Sequence, residues 1–348
     1  MNKIFNYSSL ATRTYDKEIL NYIGLIHESK GKQELYLEQK PEKLEKLVEL
    51  SKIQSTVASN EIEGIVTTSH RFVQLMQEKT TPKNRSEEEI KGYRYALNII
   101  HENFKYIPIN PNIILQLHSK MYQFTDIRFS RKFKETPNEI DAIYLDGHKE
   151  VLFKPLEPYK TSEAIDSLCN EYDKAINKYN IDPLIVIPIF IHDFLCIHPF
   201  NDGNGRISRL LTLLLLYRSG YLIGKYISLE KKIQITKDDY YDALNLSSKG
   251  WSENNNDNTP FIKYMLGIII SAYRDFEERV NVVKAKLSAK EMVTRAVKSK
   301  IGKFTKSDIM ELCPEIGRGS VEQSLKSLCE EGVIKKEGIG RATFYHLL

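Results

Sequence analysis

Residues 183–217 read PLIVIPIFIHDFLCIHPFNDGNGRISRLLTLLLLY, and this stretch decides the fold. A polar, glycine-rich loop lies in its middle, and each flank has the length and apolar content of a buried helix. Asp182 and Pro183 mark the start of the first helix, because aspartate caps helices and proline is favoured in the first turn. The sequence therefore predicts a polar loop held between two core helices, which is a rigid support for a functional site.

The loop contains the residues of an anion site. Gly203 and Gly205 allow backbone N–H groups to approach an anion, and the second helix begins there with the positive end of its dipole. Arg206 and Arg209 are three residues apart, so they share one face of the first turn. Two guanidinium groups beside a helix N-terminus predict a site for a polyphosphate.

Two further side chains indicate chemistry on that phosphate. Asp202 supplies one hard oxygen ligand, which suits Mg²⁺ shared with phosphate groups. His198 is the only group of the loop that can take up a proton near pH 7. A base, a metal carboxylate and an anion site together predict phosphoryl or nucleotidyl transfer to a hydroxyl. The alternative is a glycine-rich turn with structural arginines.

The pattern His-Pro-Phe-x-Asp-Gly-Asn-Gly-Arg-x-x-Arg is complete from His198 to Arg209, with His192 and Phe194 in front of it. It resembles the signature of Fic (Fic/Doc, Fido) domains. The resemblance implies transfer of AMP from ATP to a Ser, Thr or Tyr hydroxyl of a protein, with Mg²⁺ as the metal ion. In that scheme His198 is the base for the target hydroxyl, and Asp202 holds Mg²⁺ on the α- and β-phosphates.

The resemblance also implies contacts with the nucleotide. Asn204 and the amides of Gly203 and Gly205 hold the phosphates. Arg206 and Arg209 hold the diphosphate, with Arg209 towards the γ end. Family members that phosphorylate carry Lys at the position of Gly205, so glycine here favours AMP transfer. The full nucleotide-binding set implied is Glu63, Asp202, Gly203, Asn204, Gly205, Arg206, Ile207, Ser208, Arg209 and Tyr241.

Tyr241 belongs to this set because the pair Tyr240-Tyr241 resembles the Tyr-Tyr segment that lies near the adenine in the family. The alternative is that both tyrosines are core aromatic residues of a helix. The sequence leaves both interpretations open.

The stretch Ser59-Asn60-Glu61-Ile62-Glu63-Gly64 ends a predicted helix, and Gly64 alone explains a helix stop. The stretch also resembles the inhibitory helix of Fic proteins, Ser/Thr-x-x-x-Glu-Gly/Asn, with Ser59, Glu63 and Gly64 as the matching residues. The resemblance implies that Glu63 pairs with Arg209 and occupies the place of the γ-phosphate. The rival within the enzyme hypothesis is that Glu63 positions water for removal of AMP. Glu61 fails the register and is expected to be solvated.

Residues 140–153 give the strongest β-signal before the tail, since short apolar runs flank the turn pair Asp146-Gly147. This hairpin resembles the flap of Fic proteins, an edge strand that holds the target segment by backbone pairing. The implied target-positioning residues are Tyr144, Leu145, Asp146 and Gly147. The alternative is a structural hairpin that caps the helices. An open edge in an otherwise helical domain favours the functional interpretation.

The composition is that of an ordinary globular protein, with 348 residues, 41% of them hydrophobic and 28% charged. Its four cysteines show no Cys-x-x-Cys spacing, as expected for reduced cytosolic thiols. The longest apolar run is too short for a membrane span, and the N-terminus lacks the apolar core of a signal peptide. We therefore expect a cytoplasmic protein without a membrane segment.

The C-terminal tail has a separate character. Residues 284–348 hold 13 Lys and Arg against 8 Asp and Glu, a net charge of +5. Three predicted helices and a hairpin with a glycine turn resemble a winged helix-turn-helix. The basic excess suits weak DNA binding, but Glu322, Glu330 and Glu331 on the third helix would repel phosphates. A module for protein docking or for a homodimer is the favoured alternative.

Taken together, the sequence predicts a mainly α protein with a Fic-type helical core, a β-hairpin flap and a C-terminal winged helix-turn-helix. The predicted parts are an N-terminal helical region with the inhibitory helix (1–95), a Fic core (96–280) and a winged helix (285–348). The predicted activity is AMP transfer to a target protein or to the chain itself, inhibited by Glu63. A rival of another class is a DNA-binding regulator whose Fic core senses nucleotide. The intact base argues against it, because a sensor needs none.

Overall fold

The computed structural model describes residues 3–39, 41–126, 131–143, 149–285, 288–298, 303–313, 316–338 and 343–347. The chain divides into two compact units, Met1–Phe276 and Glu277–Leu348. Both units are mainly helical, and the described residues of each include a two-stranded antiparallel sheet. The three-part division expected from the sequence stays a prediction.

In chain order, the first unit holds α1 (Lys17–Gln39), α2 (Pro41–Ile62), α3 (Ser69–Met76), α4 (Arg85–Asn103), α5 (Pro111–Met121), β1 (Ile140–Ile143), β2 (Lys149–Phe153), α6 (Pro158–Asp173), α7 (Pro183–Ile197), α8 (Asn204–Arg218), α9 (Leu229–Ile235), α10 (Lys237–Ser248) and α11 (Thr259–Ala285), whose last residues belong to the second unit. The second unit holds α12 (Ala289–Lys298), α13 (Lys306–Leu312), α14 (Arg318–Glu330), β3 (Ile334–Glu337) and β4 (Phe344–Leu347). Across these described elements, no helix combines the length and apolar character needed to cross a membrane.

Helices α7 and α8 form the buried centre of the first unit. Asp182 Oδ1 accepts a hydrogen bond from the Leu184 N–H at 2.8 Å, and Pro183 fills the first helical position. Helix α7 ends at His198 with a left-handed φ of 50°, and α8 begins after Gly203 with a left-handed φ of 84°. The predicted polar loop between two core helices is therefore confirmed.

Helix α4 packs against α2, α5 and α8, and α2 packs against α4 and α9. The end of α2 contacts α8 as well, which brings the predicted inhibitory stretch to the start of that helix. Gly64 follows α2 with a left-handed φ of 75°, and the Ile65 N–H donates to the Asn60 carbonyl at 2.9 Å. A left-handed glycine after the last turn is a common helix stop, as the sequence predicts.

Strands β1 and β2 pair in antiparallel fashion and confirm the predicted hairpin strands. Ile140 lies opposite Phe153 and Ile143 opposite Lys149, with an irregularity in register after Ile140. The residues between the two strands lie outside the described part of the chain.

The second unit has the winged helix-turn-helix arrangement that the sequence predicts. Thr305 caps α13 through a reciprocal pair of hydrogen bonds with Asp308. Strands β3 and β4 pair antiparallel, and Phe304 forms a bridge to Tyr345. Its core consists of Phe304 and of apolar residues from all three helices and β3, among them Val293, Val297, Ile309, Val321, Leu325, Leu328 and Ile334.

Candidate active site

Asn204 closes the loop between α7 and α8 on itself. Its Oδ1 accepts a hydrogen bond from the Phe200 N–H at 2.9 Å, and its Nδ2 donates to the Phe200 carbonyl at 2.7 Å. The side chain is buried. The resemblance implied that Asn204 holds the phosphates. In the structure both polar atoms of the side chain contact the loop backbone, and the phosphate contact stays a prediction.

His118 on α5 supports the same loop. Its ring stacks on Phe200 with centroids 3.8 Å apart, and its Nε2 lies 3.1 Å from the Asp202 carbonyl oxygen. A carbonyl oxygen only accepts, so Nε2 carries the proton. Burial lowers the pKa of His118 to about 4, which keeps the ring neutral at pH 7. No local sequence pattern reveals this contact.

Lys134 and Asn138, in the segment before β1, also hold the loop. Lys134 Nζ donates to the Ile197 carbonyl at 3.1 Å and to Asn138 Oδ1 at 2.8 Å. Asn138 Nδ2 donates to the Phe200 carbonyl at 3.1 Å. Burial lowers the pKa of Lys134 to about 8. Sequence reasoning missed both residues, since a lone Lys and Asn in a loop carry no signal of their own.

His198 has the geometry and charge state of a general base. Its left-handed backbone is uncommon for a residue other than glycine and occurs often at functional sites. Its Nδ1 lies 3.2 Å from the Leu195 carbonyl oxygen, so Nδ1 carries the proton and Nε2 is left as an acceptor. Burial lowers the pKa of His198 to about 4, and Lys134 acts in the same direction. The ring is therefore neutral at pH 7 and can accept a proton at Nε2.

Glu63 and Arg209 form an ion pair, with Oε1 and Nη2 2.7 Å apart. The same guanidinium donates from Nε to Ser59 Oγ and from Nη2 to the Ser59 carbonyl, both at 2.8 Å. Arg209 is buried, whereas 32% of the Glu63 side chain is exposed. The pair implied by the resemblance is present, and Ser59 adds two contacts to it.

The Glu63 carboxylate lies directly over Gly205. A Cβ atom on residue 205 would overlap Glu63 Oε1 and come within 3.3 Å of Arg209 Nη1. Gly205 is the second residue of α8, whose first N–H groups have no acceptor within the helix. The carboxylate therefore lies where the helix N-terminus favours an anion, which is the position predicted for phosphate.

Arg206 is fully buried. Nη1 of its guanidinium lies 2.7 Å from Glu89 Oε2, and Nη2 donates to the Tyr122 hydroxyl at 2.6 Å. The side chain forms an ion pair with α4, and its diphosphate contact stays a prediction. The spacing of residues on α8 cannot predict this ion pair, because the direction of the Arg206 side chain depends on Glu89 of α4 and on Tyr122, which follows α5.

Ile207 and Ser208 follow Arg206 in the first turns of α8. Ile207 is buried, and its N–H donates to the Gly203 carbonyl at 2.9 Å. Ser208 is buried, and its hydroxyl donates to the Gly205 carbonyl at 2.7 Å. The nucleotide contacts of both residues stay predictions.

Asp202 precedes α8 with 55% of its side chain exposed. Its Oδ2 lies 3.2 Å from Arg85 Nη2, and its Oδ1 lies 3.6 Å from Arg206 Nη2. Proteins commonly bind Mg²⁺ through one or two carboxylates together with substrate phosphates, so this exposed carboxylate fits Mg²⁺ shared with ATP. Within the described ranges, no cluster of three or more His, Cys, Asp or Glu side chains could hold a metal ion alone. Asp202 is the residue that would hold Mg²⁺ with the nucleotide.

The other predicted contacts lie around this centre or outside the described residues. Tyr241 on α10 is 38% exposed while Tyr240 is buried, so the core interpretation fits Tyr240 alone. Burial raises the pKa of Tyr241, and the charge of Glu63 raises it further. Glu61 is exposed and hydrogen-bonds Gln234. The predicted flap residues Tyr144, Leu145, Asp146 and Gly147 lie outside the part of the chain that the structure describes.

Two family models match the chain. Residues 108–216 match the model described as Fic/DOC family, and residues 288–348 match the model described as Transcriptional regulator DIP2311-like, C-terminal domain. The solved structure of a Fic family protein from Desulfovibrio desulfuricans has a TM-score of 0.61 at 20% identity and covers 97% of both chains. A Fic domain containing signaling protein from Bacteroides thetaiotaomicron has a TM-score of 0.61 at 23% identity, over 72% of this chain and 94% of that one.

A curated relative named Protein adenylyltransferase Fic, from Drosophila grimshawi, is 28% identical over 185 residues. The match covers 51% of this chain and 32% of the relative, so the chain spans about a third of the length of the curated adenylyltransferases that it matches. The fold and the loop between α7 and α8 define the class as a helical protein with a Fic-type core. Residues 108–216 form a Fic/DOC domain, residues 288–348 resemble the DIP2311-like domain, and the fold is that of the solved Fic family structures.

Proposed function

We propose that this protein moves AMP from ATP to a Ser, Thr or Tyr hydroxyl of a target protein, and that Glu63 inhibits this transfer. The observation that carries the proposal is the position of one carboxylate. Glu63 lies over Gly205, where the helix favours an anion, and pairs with Arg209 at the same time. An anion site next to a neutral histidine suits a phosphate of ATP and a base for the acceptor hydroxyl. The Drosophila relative named protein adenylyltransferase supports the same activity.

In the proposed reaction, His198 Nε2 takes the proton of the acceptor hydroxyl while the hydroxyl oxygen attacks the α-phosphorus of ATP. The bond from that phosphorus to the oxygen bridging to the β-phosphate breaks, and pyrophosphate leaves with the electron pair. Arg209 and the first N–H groups of α8 stabilise the negative charge on the phosphates. Mg²⁺ held by Asp202 would neutralise part of that charge.

Glu63 opposes this reaction in two ways. It holds the guanidinium proposed for the γ-phosphate, and it brings a negative charge to the phosphate position. A close contact between two anions in a partly dry site costs on the order of several kcal/mol. ATP then binds with its α-phosphate out of line for attack.

The variant Glu63→Gly tests the proposal. It removes the charge and frees Arg209, so label incorporated from α-labelled ATP into a lysate or into the protein itself should rise at least ~10-fold, or about 1.4 kcal/mol. Glu61→Gly is the matched control, because the same change at this exposed neighbour leaves the ion pair intact and should not raise transfer. The double variant Glu63→Gly/Arg209→Ala should lose the gain, since the γ-phosphate loses its partner. Unchanged label in Glu63→Gly with intact ATP binding would show that Glu63 is not inhibitory.

The nature of the transferred group is tested separately. Gly205, in place of the Lys of phosphorylating relatives, predicts AMP on the product. Mass spectrometry of the modified target, or of the self-modified protein, measures the added group. A mass shift that corresponds to phosphate alone would exclude AMP transfer, but it would not contradict the assignment of the fold.

Removal of AMP is a second candidate, because the partly exposed Glu63 carboxylate lies over Gly205, where it can accept a hydrogen bond from a water beside the α-phosphate. In that reaction Glu63 positions a water that replaces the protein oxygen on the α-phosphorus. Release of label from a premodified target then distinguishes the two activities. The removal hypothesis expects release by the parent protein and its loss in Glu63→Gly, whereas transfer alone expects no release by either protein.

A further inference from the structure

One face of α2 carries a polar residue every four positions. Ser51, Ser55 and Ser59 are followed by Glu63 just after the helix, and residues four apart share a helical face. The three serines are at most 1% exposed. Each has a hydrogen-bond partner outside α2, beginning with Ser51 Oγ, which donates to the Gly224 carbonyl at 3.0 Å. Hydrogen bonds therefore attach α2 along this face.

Glu230 is the partner of Ser55, and no step of the proposed reaction uses it. It lies in the first turn of α9 and is 1% exposed. Its carboxylate accepts hydrogen bonds from Ser55 Oγ at 2.6 Å, from the Tyr93 hydroxyl at 3.2 Å and from Ser228 Oγ at 3.3 Å. A carboxylate inside a protein is tolerated where hydrogen bonds replace water. Here α2 and α4 supply two of the three donors.

Glu230 and Arg209 hold neighbouring turns of α2. Ser55 Oγ donates to Glu230, and one turn later Arg209 Nε donates to Ser59 Oγ. Tyr93 of α4 donates to the same Glu230 carboxylate and so helps to fix its position. The last turns of α2 are therefore attached to α9 through Ser55 and to α8 through Ser59.

We propose that Glu230 is a positioning residue for the inhibitory end of α2. It holds Ser55, one turn before Ser59, and Tyr93 holds its carboxylate in place. Glu230 thereby keeps Glu63 over Gly205. The inference rests on the proposed inhibitory function of that carboxylate. The strength of inhibition then depends on a buried group outside the nucleotide-binding set, and loss of either hydroxyl donor loosens the last turns of α2.

Ser55→Ala and Tyr93→Phe test this inference, because each removes one hydroxyl donor and keeps the Glu230 carboxylate. Loss of one hydrogen bond should raise AMP transfer at least ~3-fold over the parent protein. Thr56→Ala is the matched control, since Thr56 is equally buried but its hydroxyl donates within α2, to the Lys52 carbonyl at 2.8 Å. This control should leave transfer unchanged. In a Glu63→Gly background, neither test variant should raise transfer further, because the group that they position is gone.

Hydrogen–deuterium exchange over residues 55–63 gives a measurement that does not depend on transfer. We expect faster exchange in Ser55→Ala and Tyr93→Phe and parent-like exchange in Thr56→Ala. If no variant transfers AMP, including Glu63→Gly, the proposed function fails, while faster exchange in the two test variants still supports the positioning role. Two results would overturn the inference. One is that both variants leave exchange and transfer unchanged. The other is that they raise transfer in the Glu63→Gly background as much as they raise it in the parent protein.

The variant Glu230→Gln distinguishes two roles of the Glu230 carboxylate, namely positioning of α2 and a negative charge that only balances the charge of Arg209. The positioning role expects Glu230→Gln, Ser55→Ala and Tyr93→Phe to change exchange and transfer in the same direction. A counter-charge alone would make Glu230→Gln the only variant with an effect. That second result contradicts the inference.

Discussion

At the scale of single residues, the backbone of His198 determines how its role can be tested. Asn tolerates the left-handed conformation of this residue better than Ala does, so His198→Asn removes the base with less strain. In the Glu63→Gly background we predict that His198→Asn lowers transfer by about 10²–10⁴-fold, because no group takes the hydroxyl proton. Label incorporation measures transfer, and calorimetry should show ATP binding unchanged.

His198→Ala is the companion variant for this prediction. It should lose transfer to the same extent but unfold at a lower temperature, since Ala fits the left-handed region poorly. If either variant transfers AMP at the rate of its background protein, His198 is not the base.

The pH dependence of transfer should report the burial of His198. Because burial lowers its pKa to about 4, the ring stays neutral well below the pH at which an ordinary histidine is half protonated. We predict that the Glu63→Gly protein keeps its rate of transfer from about pH 7.5 down to about pH 5.5. A rate that falls by half near pH 6.5 would contradict a buried neutral base.

The same lowered pKa affects stability with a definite sign. The unfolded chain binds a proton on this histidine near pH 6.5, whereas the folded chain binds it only near pH 4. The contribution of the neutral ring is therefore complete above pH 6.5 and is lost as the pH falls towards 4. The loss is at most about 1.4 kcal/mol per pH unit for one histidine.

Sequence was sufficient to bring the candidate residues of the loop together, because one contiguous motif contains His198, Asp202 and Gly205. It was not sufficient to show which way Arg206 turns. Its partners Glu89 and Tyr122 lie far away in the chain, and no local pattern encodes a contact between helices.

At the scale of elements, the N-terminus of α4 meets the loop before α8. Arg85, the first residue of α4, pairs with Glu89 and also lies 3.2 Å from the Asp202 carboxylate. A cation at this carboxylate competes with Mg²⁺, and exposed ion pairs contribute about 0.2–1 kcal/mol. We predict that Arg85→Ala tightens Mg²⁺ binding by up to about fivefold. Calorimetric titration of Mg²⁺ in the presence of a non-hydrolysable ATP analogue measures the affinity.

Arg94→Ala is the control for that titration, because Arg94 lies on the same helix but pairs with Glu49. Its Mg²⁺ affinity should equal that of the parent protein. Weaker binding of Mg²⁺ by Arg85→Ala would mean that Arg85 assists the nucleotide site instead of competing with the metal.

Periodicity and caps were sufficient to predict the core helices, the hairpin strands and the tail helices. They were not sufficient to predict the polar face of α2. Serines in a helix are normally expected on the exposed side, so Ser51 and Ser55 carried no sign of burial. They are buried because Gly224 and Glu230 supply their partners, and both lie in a later part of the chain.

At the scale of the whole molecule, charge pairing bears on the function of the second unit. Although residues 284–348 have a net charge of +5, Lys306 and Arg318 both contact Glu322, at 2.6 and 3.1 Å. Paired cations leave less charge for phosphates, which supports the docking or dimer hypothesis over DNA binding. The match to a domain of a transcriptional regulator keeps the DNA hypothesis worth testing.

The DNA hypothesis predicts that the full-length chain binds duplex DNA weakly, and that binding falls steeply between about 50 and 200 mM salt, because neutralised phosphates release counterions. Fluorescence anisotropy of a labelled duplex measures both. Glu322→Gln frees Lys306 and Arg318 and should strengthen binding, whereas Glu61→Gln in the first unit should not. If Glu322→Gln also fails to bind at low salt, the tail is a docking module.

Arg209 is bound by Ser59 and Glu63 of its own chain, so the end of α2 acts as a ligand tethered to the site that it blocks. A tethered ligand competes at an effective concentration on the order of mM for short connections. ATP in the pose for transfer needs Arg209 for its γ-phosphate and must displace this internal competitor. The attached α2 weakens binding in that pose by some factor, and by reciprocity such binding weakens the attachment of α2 by the same factor. The protein would then respond to the concentration of ATP over a range set by the tether, while ADP, which lacks the γ-phosphate, would leave α2 in place.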